Sequence, residues 1–273
     1  MNNGASIGIF DSGYGGLTIL SEIRALMPEY NYIYLGDNAR TPYGTRSFDV
    51  VYRYTLENVK KLFSMGCSLV ILACNTASAK ALRTIQQNDL PRIAPDKRVL
   101  GVIRPTTEIA GTLTKNGHIG LFGTEGTIDS MSYNIEIAKM FPDVKVTGQA
   151  CPMWVPIIEN GEADSDGADY FVKEYCSTLI AKDPQIDTVI LACTHYPLLK
   201  DKIQRYLPSG ISVVSQGPIV AKSLKNYLTK HTEIECQIEK GGVCTFYTTE
   251  STQKFIKNAS IFLNTEIIAQ TIN

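Results

Sequence analysis

Short apolar runs alternate along this chain with longer segments whose apolar residues recur at helical spacing. The short runs are typical of strands buried on both faces, and they predict strands at Ile7 to Phe10, Tyr32 to Leu35, Leu69 to Ala73, Val99 to Ile103, Ile119 to Phe122, Val144 to Thr147, Thr188 to Ala192, Ser212 to Val214 and Thr245 to Tyr247. The longer segments predict helices at Leu17 to Met27, Phe48 to Met65, Ala77 to Gln86, Ile128 to Phe141, Ala168 to Ala181, Leu198 to Tyr206, Ile219 to Leu228 and Thr252 to Asn258. Strands that alternate with helices imply parallel sheets with right-handed crossovers, so the predicted fold class is α/β.

One apolar run, Val-Ile-Leu-Ala-Cys, occurs twice in the chain, at Val70 to Cys74 and at Val189 to Cys193. In each copy a cysteine follows the strand and precedes small polar residues. Open α/β sheets bind ligands at the carboxyl ends of their strands, so each thiol is expected at such an edge. The first strands of the two halves also match, Ile7 to Gly13 with Ile119 to Glu125. We therefore expect two similar αβ lobes facing each other across a cleft, with one sulfur on each side of a substrate, in preference to two unrelated αβ halves.

Charge and hydropathy exclude several classes of function. The chain has 273 residues and a formal net charge of −1, with no basic stripe, so we expect no nucleic-acid partner. Met1 to Ser6 is too short and polar for a signal peptide, and no apolar run is long enough to cross a bilayer. We therefore expect a cytoplasmic protein without a membrane partner. A net charge near zero is compatible with a homodimer but does not predict one.

The seven cysteines are odd in number and irregularly spaced, which in a protein expected to be cytoplasmic favours reduced thiols over a disulfide framework. A zinc site would have to use Cys193 and His195 without the usual ligand spacing, so no metal is expected. Apart from Cys74 and Cys193, the cysteines are interpreted as small core residues: Cys67, Cys151, Cys176, Cys236 and Cys244.

Two loops near the first strands contain turn residues. Asp11 to Gly16 is a glycine-rich turn that enters a helix, which suits either an anion bound by backbone N–H groups or a tight turn with a capping aspartate. Pro42-Tyr43-Gly44 predicts a turn that presents backbone groups and a phenol to a ligand, or an ordinary loop.

The two cysteine loops are more informative. Asn75 and Thr76 are good caps for a helix that starts near Ala77, so Cys74 should lie at a helix N-terminus, which lowers the pKa of a thiol. His195 lies two residues after Cys193 and could exchange a proton with its sulfur.

The ordered motifs resemble the glutamate racemases, cofactor-independent enzymes that make D-glutamate for bacterial cell walls. The resemblance covers essentially the whole chain and rests on Phe10-Asp11-Ser12-Gly13-x-Gly15-Gly16-Leu17, Gly36-Asp37-x-Ala39-Arg40-x-Pro42-Tyr43-Gly44, Ala73-Cys74-Asn75-Thr76-Ala77-Ser78, Gly101-Val102-Ile103-x-Pro105 and Cys193-Thr194-His195-Tyr196-Pro197-Leu198. Two departures are conservative: Ala192 is usually glycine in the family and Asn38 is usually threonine.

The resemblance implies a two-base mechanism for glutamate that needs neither pyridoxal phosphate nor a metal. Cys74 would abstract the Cα proton of D-glutamate and Cys193 that of L-glutamate, because one base cannot easily serve both faces of the carbon. The implied assisting residues are Asp11 beside Cys74, with His195 and Glu159 beside Cys193. The implied substrate contacts are Asp11, Ser12, Tyr43, Gly44, Asn75, Thr76, Thr124, Thr194 and His195.

The same resemblance implies the lobe boundaries. Residues 1–103 and 212–273 would form the first lobe, with Asp11 and Cys74, and residues 104–211 would form the second, with Cys193 and His195.

Three other functions fit parts of the sequence. An aspartate or hydantoin racemase of the same superfamily would share the thiols. A cysteine hydrolase would use Cys193 as nucleophile and His195 as base but would leave Cys74 without a role. A two-lobed amino-acid binding protein needs no thiols and would usually carry an export signal.

Overall fold

The computed structural model of the protein describes residues 5–263 and 265–272, and its strands form two sheets. In chain order, strands β1 to β10 span Ser6–Asp11, Tyr32–Gly36, Cys67–Leu72, Arg98–Gly101, His118–Gly123, Lys145–Ala150, Thr188–Ala192, Ser212–Ser215, Cys244–Thr248 and Ala269–Thr271. The first sheet has the order β10-β9-β2-β1-β3-β4 and the second β6-β5-β7-β8, and every pairing within them is parallel. The predicted α/β class with parallel sheets is confirmed.

The two sheets share one strand order, since β2-β1-β3-β4 corresponds to β6-β5-β7-β8. The two cysteine strands, β3 and β7, take equivalent positions beside the first strand of their sheet. This equivalence confirms the expectation of two similar αβ lobes.

Helices connect the strands and cover both faces of each sheet. In chain order, α1 to α15 span Gly16–Leu26, Phe48–Ser64, Asn75–Lys80, Leu82–Thr84, Leu90–Ile93, Ile103–Thr107, Ala110–Leu113, Glu125–Asp129, Ser132–Met140, Trp154–Glu159, Asp166–Lys182, Lys200–Tyr206, Gly217–Lys230, Thr232–Glu235 and Thr252–Leu263; a π-helical turn spans Ile85–Asp89 and a 3-10 turn spans Tyr196–Leu199. No helix within residues 5–263 and 265–272 is long and apolar enough to cross a membrane.

The buried strands explain why their sequences are apolar throughout. In β1, Ile7 and Ile9 pack into one hydrophobic core, whereas Phe10 packs into another on the opposite face of the sheet. In β7, Ile190 and Leu191 likewise contribute to two different cores. A strand covered on both faces has no solvent-facing positions, so polar residues do not alternate along it.

Several predicted elements differ in detail. The helix predicted from Ile128 to Phe141 is two helices, α8 and α9, because Met131 between them has a left-handed backbone with φ 53°. The strand predicted from Val99 to Ile103 ends at Gly101, and Ile103 begins α6. Helix α10 and strand β10 were not predicted, since both are short and α10 contains Pro156.

The lobe boundary is best placed from the sheets. Strand β8 pairs with β7 along Thr188 to Leu191, so Ser212–Ser215 belongs to the second sheet and not, as the predicted boundary at residue 212 required, to the first lobe. We propose that the second lobe extends to Ser215. The chain then passes between lobes twice, near Val102 after β4 and near Gln216 after β8.

Candidate active site

The carboxyl ends of β1, β3, β5 and β7 meet at one cavity of about 130 Å³. An ordered water needs about 10–15 Å³ of such space, so the cavity has room for a compact ligand of about ten non-hydrogen atoms. Its lining brings together most of the residues predicted from sequence, namely Ser12, Tyr43, Gly44, Cys74, Asn75, Thr76, Thr124, Cys193, Thr194 and His195. Both thiols therefore face one small cavity, as the repeated strand predicted.

Cys74 lies between the end of β3 and the start of α3. Its sulfur is 3.4 Å from Ser12 Oγ and accepts a hydrogen bond from the backbone N–H of Ala77 at 3.5 Å. Burial, reinforced by the nearby carboxylate of Asp11, nevertheless raises the pKa of the Cys74 thiol to about 12. The lowered pKa that we expected from the helix N-terminus is wrong, because desolvation outweighs the helix.

Asp11 is completely buried at the end of β1. Its Oδ2 accepts a hydrogen bond from the backbone N–H of Gly13 at 2.9 Å, and the N–H of Gly16 also faces the carboxylate. Part of the glycine turn thus binds Asp11 itself, in agreement with the capping-aspartate interpretation. Burial raises the pKa of Asp11, and its Oδ1 has no hydrogen-bond partner among the residues that the structure describes.

Cys193, His195 and Glu159 form a connected row in the second lobe. Cys193 Sγ lies 3.8 Å from His195 Nδ1, and His195 Nε2 lies 2.9 Å from Glu159 Oε1. Burial disfavours charge on the imidazole, but its hydrogen bonds to Cys193 and Glu159 prevail and raise the pKa of His195 to about 10. The site therefore favours the protonated imidazole, with one ring nitrogen beside Cys193 Sγ and the other beside Glu159 Oε1.

The two lobes touch on both sides of the cavity. On one side, the backbone N–H of Gly126 donates to the carbonyl of Gly44 at 2.8 Å, and the Thr76 and Thr124 hydroxyls are 2.9 Å apart. On the other, Thr18 Oγ1 donates to the backbone carbonyl of its second-lobe neighbour Thr194 at 2.9 Å. These contacts hold the two lobes against each other beside the cavity.

Gly15 makes this closeness possible. A Cβ at residue 15 would overlap Thr194 Oγ1 and His195 Nδ1. The absence of a side chain there lets the glycine-rich turn of the first lobe lie directly against the second cysteine loop.

The phenol of the Pro-Tyr-Gly loop binds within the protein, and its contact with a ligand stays a prediction. The phenol of Tyr43 is almost completely buried and donates to Asp37 Oδ2 at 2.5 Å, so its hydroxyl is engaged by the protein. The turn still lines the cavity through Pro42, Tyr43 and Gly44.

Asp37, which the sequence analysis did not assign, organises the loop. Its buried carboxylate also accepts from Arg40 Nε at 2.7 Å, Asn58 Nδ2 at 3.1 Å and Thr249 Oγ1 at 2.9 Å. The sequence feature that could have identified Asp37 is its position directly after an apolar strand, in Gly36-Asp37. Cys151 lies in the core as expected but also lines the cavity.

Among residues 5–263 and 265–272, no group of three or more His, Cys, Asp or Glu side chains is placed so that it could hold a metal ion.

The family model for Asp/Glu/Hydantoin racemase matches residues 18–224. The chain belongs to this family. This protein is therefore a racemase, which is a type of isomerase. It is 44% identical to the glutamate racemase of Persephonella marina over 221 residues, which cover 81% of each chain.

Two solved structures of glutamate racemases match this chain over nearly its whole length. Glutamate racemase isoform RacE1 of Bacillus anthracis matches with a TM-score of 0.89 at 34% identity, covering 98% of this chain and 97% of that one. The glutamate racemase of Francisella tularensis, solved in complex with D-glutamate, matches with a TM-score of 0.86 at 31% identity, covering 99% and 98%.

Proposed function

We propose that this racemase interconverts L- and D-glutamate by moving the Cα proton between the protein's two cavity thiols, Cys74 and Cys193. The observation that carries the proposal is that two cysteines from equivalent strands of opposite lobes line one amino-acid-sized cavity. Its glutamate relatives support the choice of substrate. We further propose a cytoplasmic enzyme that supplies D-glutamate for peptidoglycan.

The two sulfurs take opposite roles in each direction of the reaction. His195 lies beside the Cys193 sulfur and can exchange a proton with it, whereas burial raises the pKa of the Cys74 thiol. With L-glutamate, the Cys193 thiolate takes the Cα proton and the Cys74 S–H delivers its own proton to the opposite face. The product is D-glutamate, with a thiol at Cys193 and a thiolate at Cys74, and the reverse reaction starts from that state.

Asp11 and Glu159 assist from behind the thiols. The raised pKa of Asp11 suits it to exchange a proton with Cys74, as does its Oδ1, which has no hydrogen-bond partner among the described residues. Glu159 holds the imidazolium of His195 through Nε2. The planar carbanionic intermediate must be stabilised by hydrogen-bond donors to the substrate carboxylates, for which Ser12, Asn75, Thr76, Thr124 and Thr194 line the cavity.

The test is racemisation of L-glutamate in D2O without added pyridoxal phosphate. Because one thiol abstracts and the other donates, early D-glutamate should carry deuterium at Cα while the recovered L-glutamate keeps its protium. Cys74→Ala and Cys193→Ala should each lower kcat by at least about 10³-fold, since each removes an acid–base group. Cys176→Ala, at a buried cysteine of the second-lobe core, is the control.

Near-normal rates in either cavity-cysteine variant, or a requirement for the cofactor, would contradict the two-thiol mechanism. Activity on aspartate in place of glutamate would retain the mechanism but change the substrate.

A cysteine hydrolase is the second candidate, because Cys193, His195 and Glu159 form a nucleophile–base–carboxylate row. It would release a burst of alcohol from an activated ester with Cys193 acylated. We expect no burst, since the family membership and the second thiol support proton transfer.

A further inference from the structure

A buried amide lies where the two connections between the lobes run side by side. Gln216 follows β8, where the chain returns to the first lobe, and Val102 follows β4, where the chain leaves it. Gln216 Nε2 donates to the backbone carbonyl of Val102 at 3.1 Å, and its side chain is buried. One hydrogen bond thus joins both connections.

The same amide continues to the first cysteine loop. Asn75 Nδ2 donates to Gln216 Oε1 at 2.8 Å, and the Tyr133 hydroxyl donates to Asn75 Oδ1 at 2.6 Å. The ring of bonds closes because Gln216 Nε2 also lies 2.6 Å from the Tyr133 hydroxyl and donates to it. All three side chains are buried.

The direction of every bond in this ring follows from one backbone group. The carbonyl of Val102 can only accept, so Gln216 must turn its amide nitrogen toward it. Gln216 Oε1 then faces Asn75, so the Asn75 amide nitrogen must be the group that donates to it. Asn75 Oδ1 is left to accept a hydrogen bond from the Tyr133 hydroxyl. Burial raises the pKa of Tyr133, so its hydroxyl stays protonated and can donate.

The orientation of Asn75 matters because this residue directly follows Cys74 and lines the cavity. Its Oδ1 faces the Tyr133 hydroxyl and one Nδ2 hydrogen binds Gln216, so the second Nδ2 hydrogen is a donor that the ring leaves for a ligand. We propose that Tyr133 and Gln216 are positioning residues that hold the Asn75 amide so that it presents a donor to a substrate carboxylate. An inverted amide would present a carbonyl oxygen, which repels a carboxylate.

This inference rests on the proposed function, and a double-mutant cycle separates the two. In the glutamate racemisation assay, Tyr133→Phe and Gln216→Met should each lower kcat/KM by about five- to tenfold, mainly through a higher KM, as expected for one misdirected hydrogen bond. The factor should be the same from L- and D-glutamate, because the equilibrium constant between enantiomers is one. In an Asn75→Ala background, neither variant should cause a further loss.

Tyr32→Phe is the matched control. Tyr32 is an equally buried tyrosine whose hydroxyl donates to the Met27 carbonyl at 2.7 Å, and it does not line the cavity. The Tyr32→Phe protein should be less stable than the wild type but should keep its KM for glutamate. Gln216→Met provides an independent measurement if Tyr133→Phe does not fold.

Two results would overturn the inference while the wild-type protein racemises glutamate: an unchanged KM in Gln216→Met or in folded Tyr133→Phe, or losses that add fully in the Asn75→Ala background. An inactive wild-type protein would instead remove the proposed function and, with it, this inference.

Discussion

The contact between His195 and Glu159 determines how the enzyme should respond to alkaline pH. Glu159→Gln removes the negative charge while keeping the size of the side chain and an oxygen that can accept from Nε2. The pair is 2.9 Å apart, and the side chains are only 6% and 18% exposed, so the interaction is little screened by solvent.

A hydrogen bond to a charged group contributes about 1.5–3 kcal/mol. One pKa unit corresponds to about 1.4 kcal/mol, so Glu159→Gln should lower the pKa of His195 by about one to two units from its value of about 10. The imidazolium, whose Nδ1 lies beside Cys193 Sγ, is lost as pH rises through the pKa of His195. The alkaline limb of kcat/KM should therefore move down by about one to two pH units, while activity at pH 7 stays within a few-fold of wild type.

The assay is the pH profile of kcat/KM for L-glutamate, followed by circular dichroism. Glu235→Gln is the control, since Glu235 binds Tyr30 and Lys240 and does not line the cavity. An alkaline limb that stays in place in folded Glu159→Gln would refute the assignment of that limb to His195.

Urea unfolding provides a second test, because the direction in which the free energy of unfolding changes with pH follows from the pKa of His195. Because folding raises the pKa of His195 from 6.5, the associated stabilisation is complete below about pH 6.5 and disappears as pH rises through about 10. Glu159→Gln should therefore destabilise the protein more at pH 6 than at pH 10, with the fluorescence of the single tryptophan, Trp154, as the signal.

Two further substitutions test how the loops are held. Gly15→Ala forces a Cβ against Thr194 and His195; it should cost about 1–3 kcal/mol in urea unfolding and lower kcat by more than about tenfold, and a wild-type kcat would contradict the tight fit. Asp37→Asn removes the charge that organises the Tyr43 turn; it should cost about 2–3 kcal/mol and raise KM for glutamate, and an unchanged KM would show that this turn does not position the ligand.

Much of the architecture follows from local sequence. The apolar runs that became β1 and β7 could be identified because strands covered on both faces are apolar at every position. Their repeated ends placed Cys74 and Cys193 at equivalent sheet edges. Errors occurred where a local signal was weak, as at Met131, whose left-handed backbone divides a helix without a glycine to mark it.

The chemical state of the site depended on contacts between distant segments. The helix N-terminus at Cys74 is visible in the sequence, but the burial that raises the pKa of its thiol is not. Glu159 and His195 lie 36 residues apart in the chain, and their hydrogen bond comes from the packing of α10 against the second cysteine loop.

By itself, the sequence determined the α/β class, the two similar halves and the two thiols at the ends of their strands, because periodicity and repeats act over a few residues. Only the tertiary structure decided that the Tyr43 phenol binds Asp37, that β8 joins the second sheet and that Gln216 links the connections between the lobes to Asn75. These features depend on desolvation and on hydrogen-bond partners from remote parts of the chain, which exist only after the lobes have packed together.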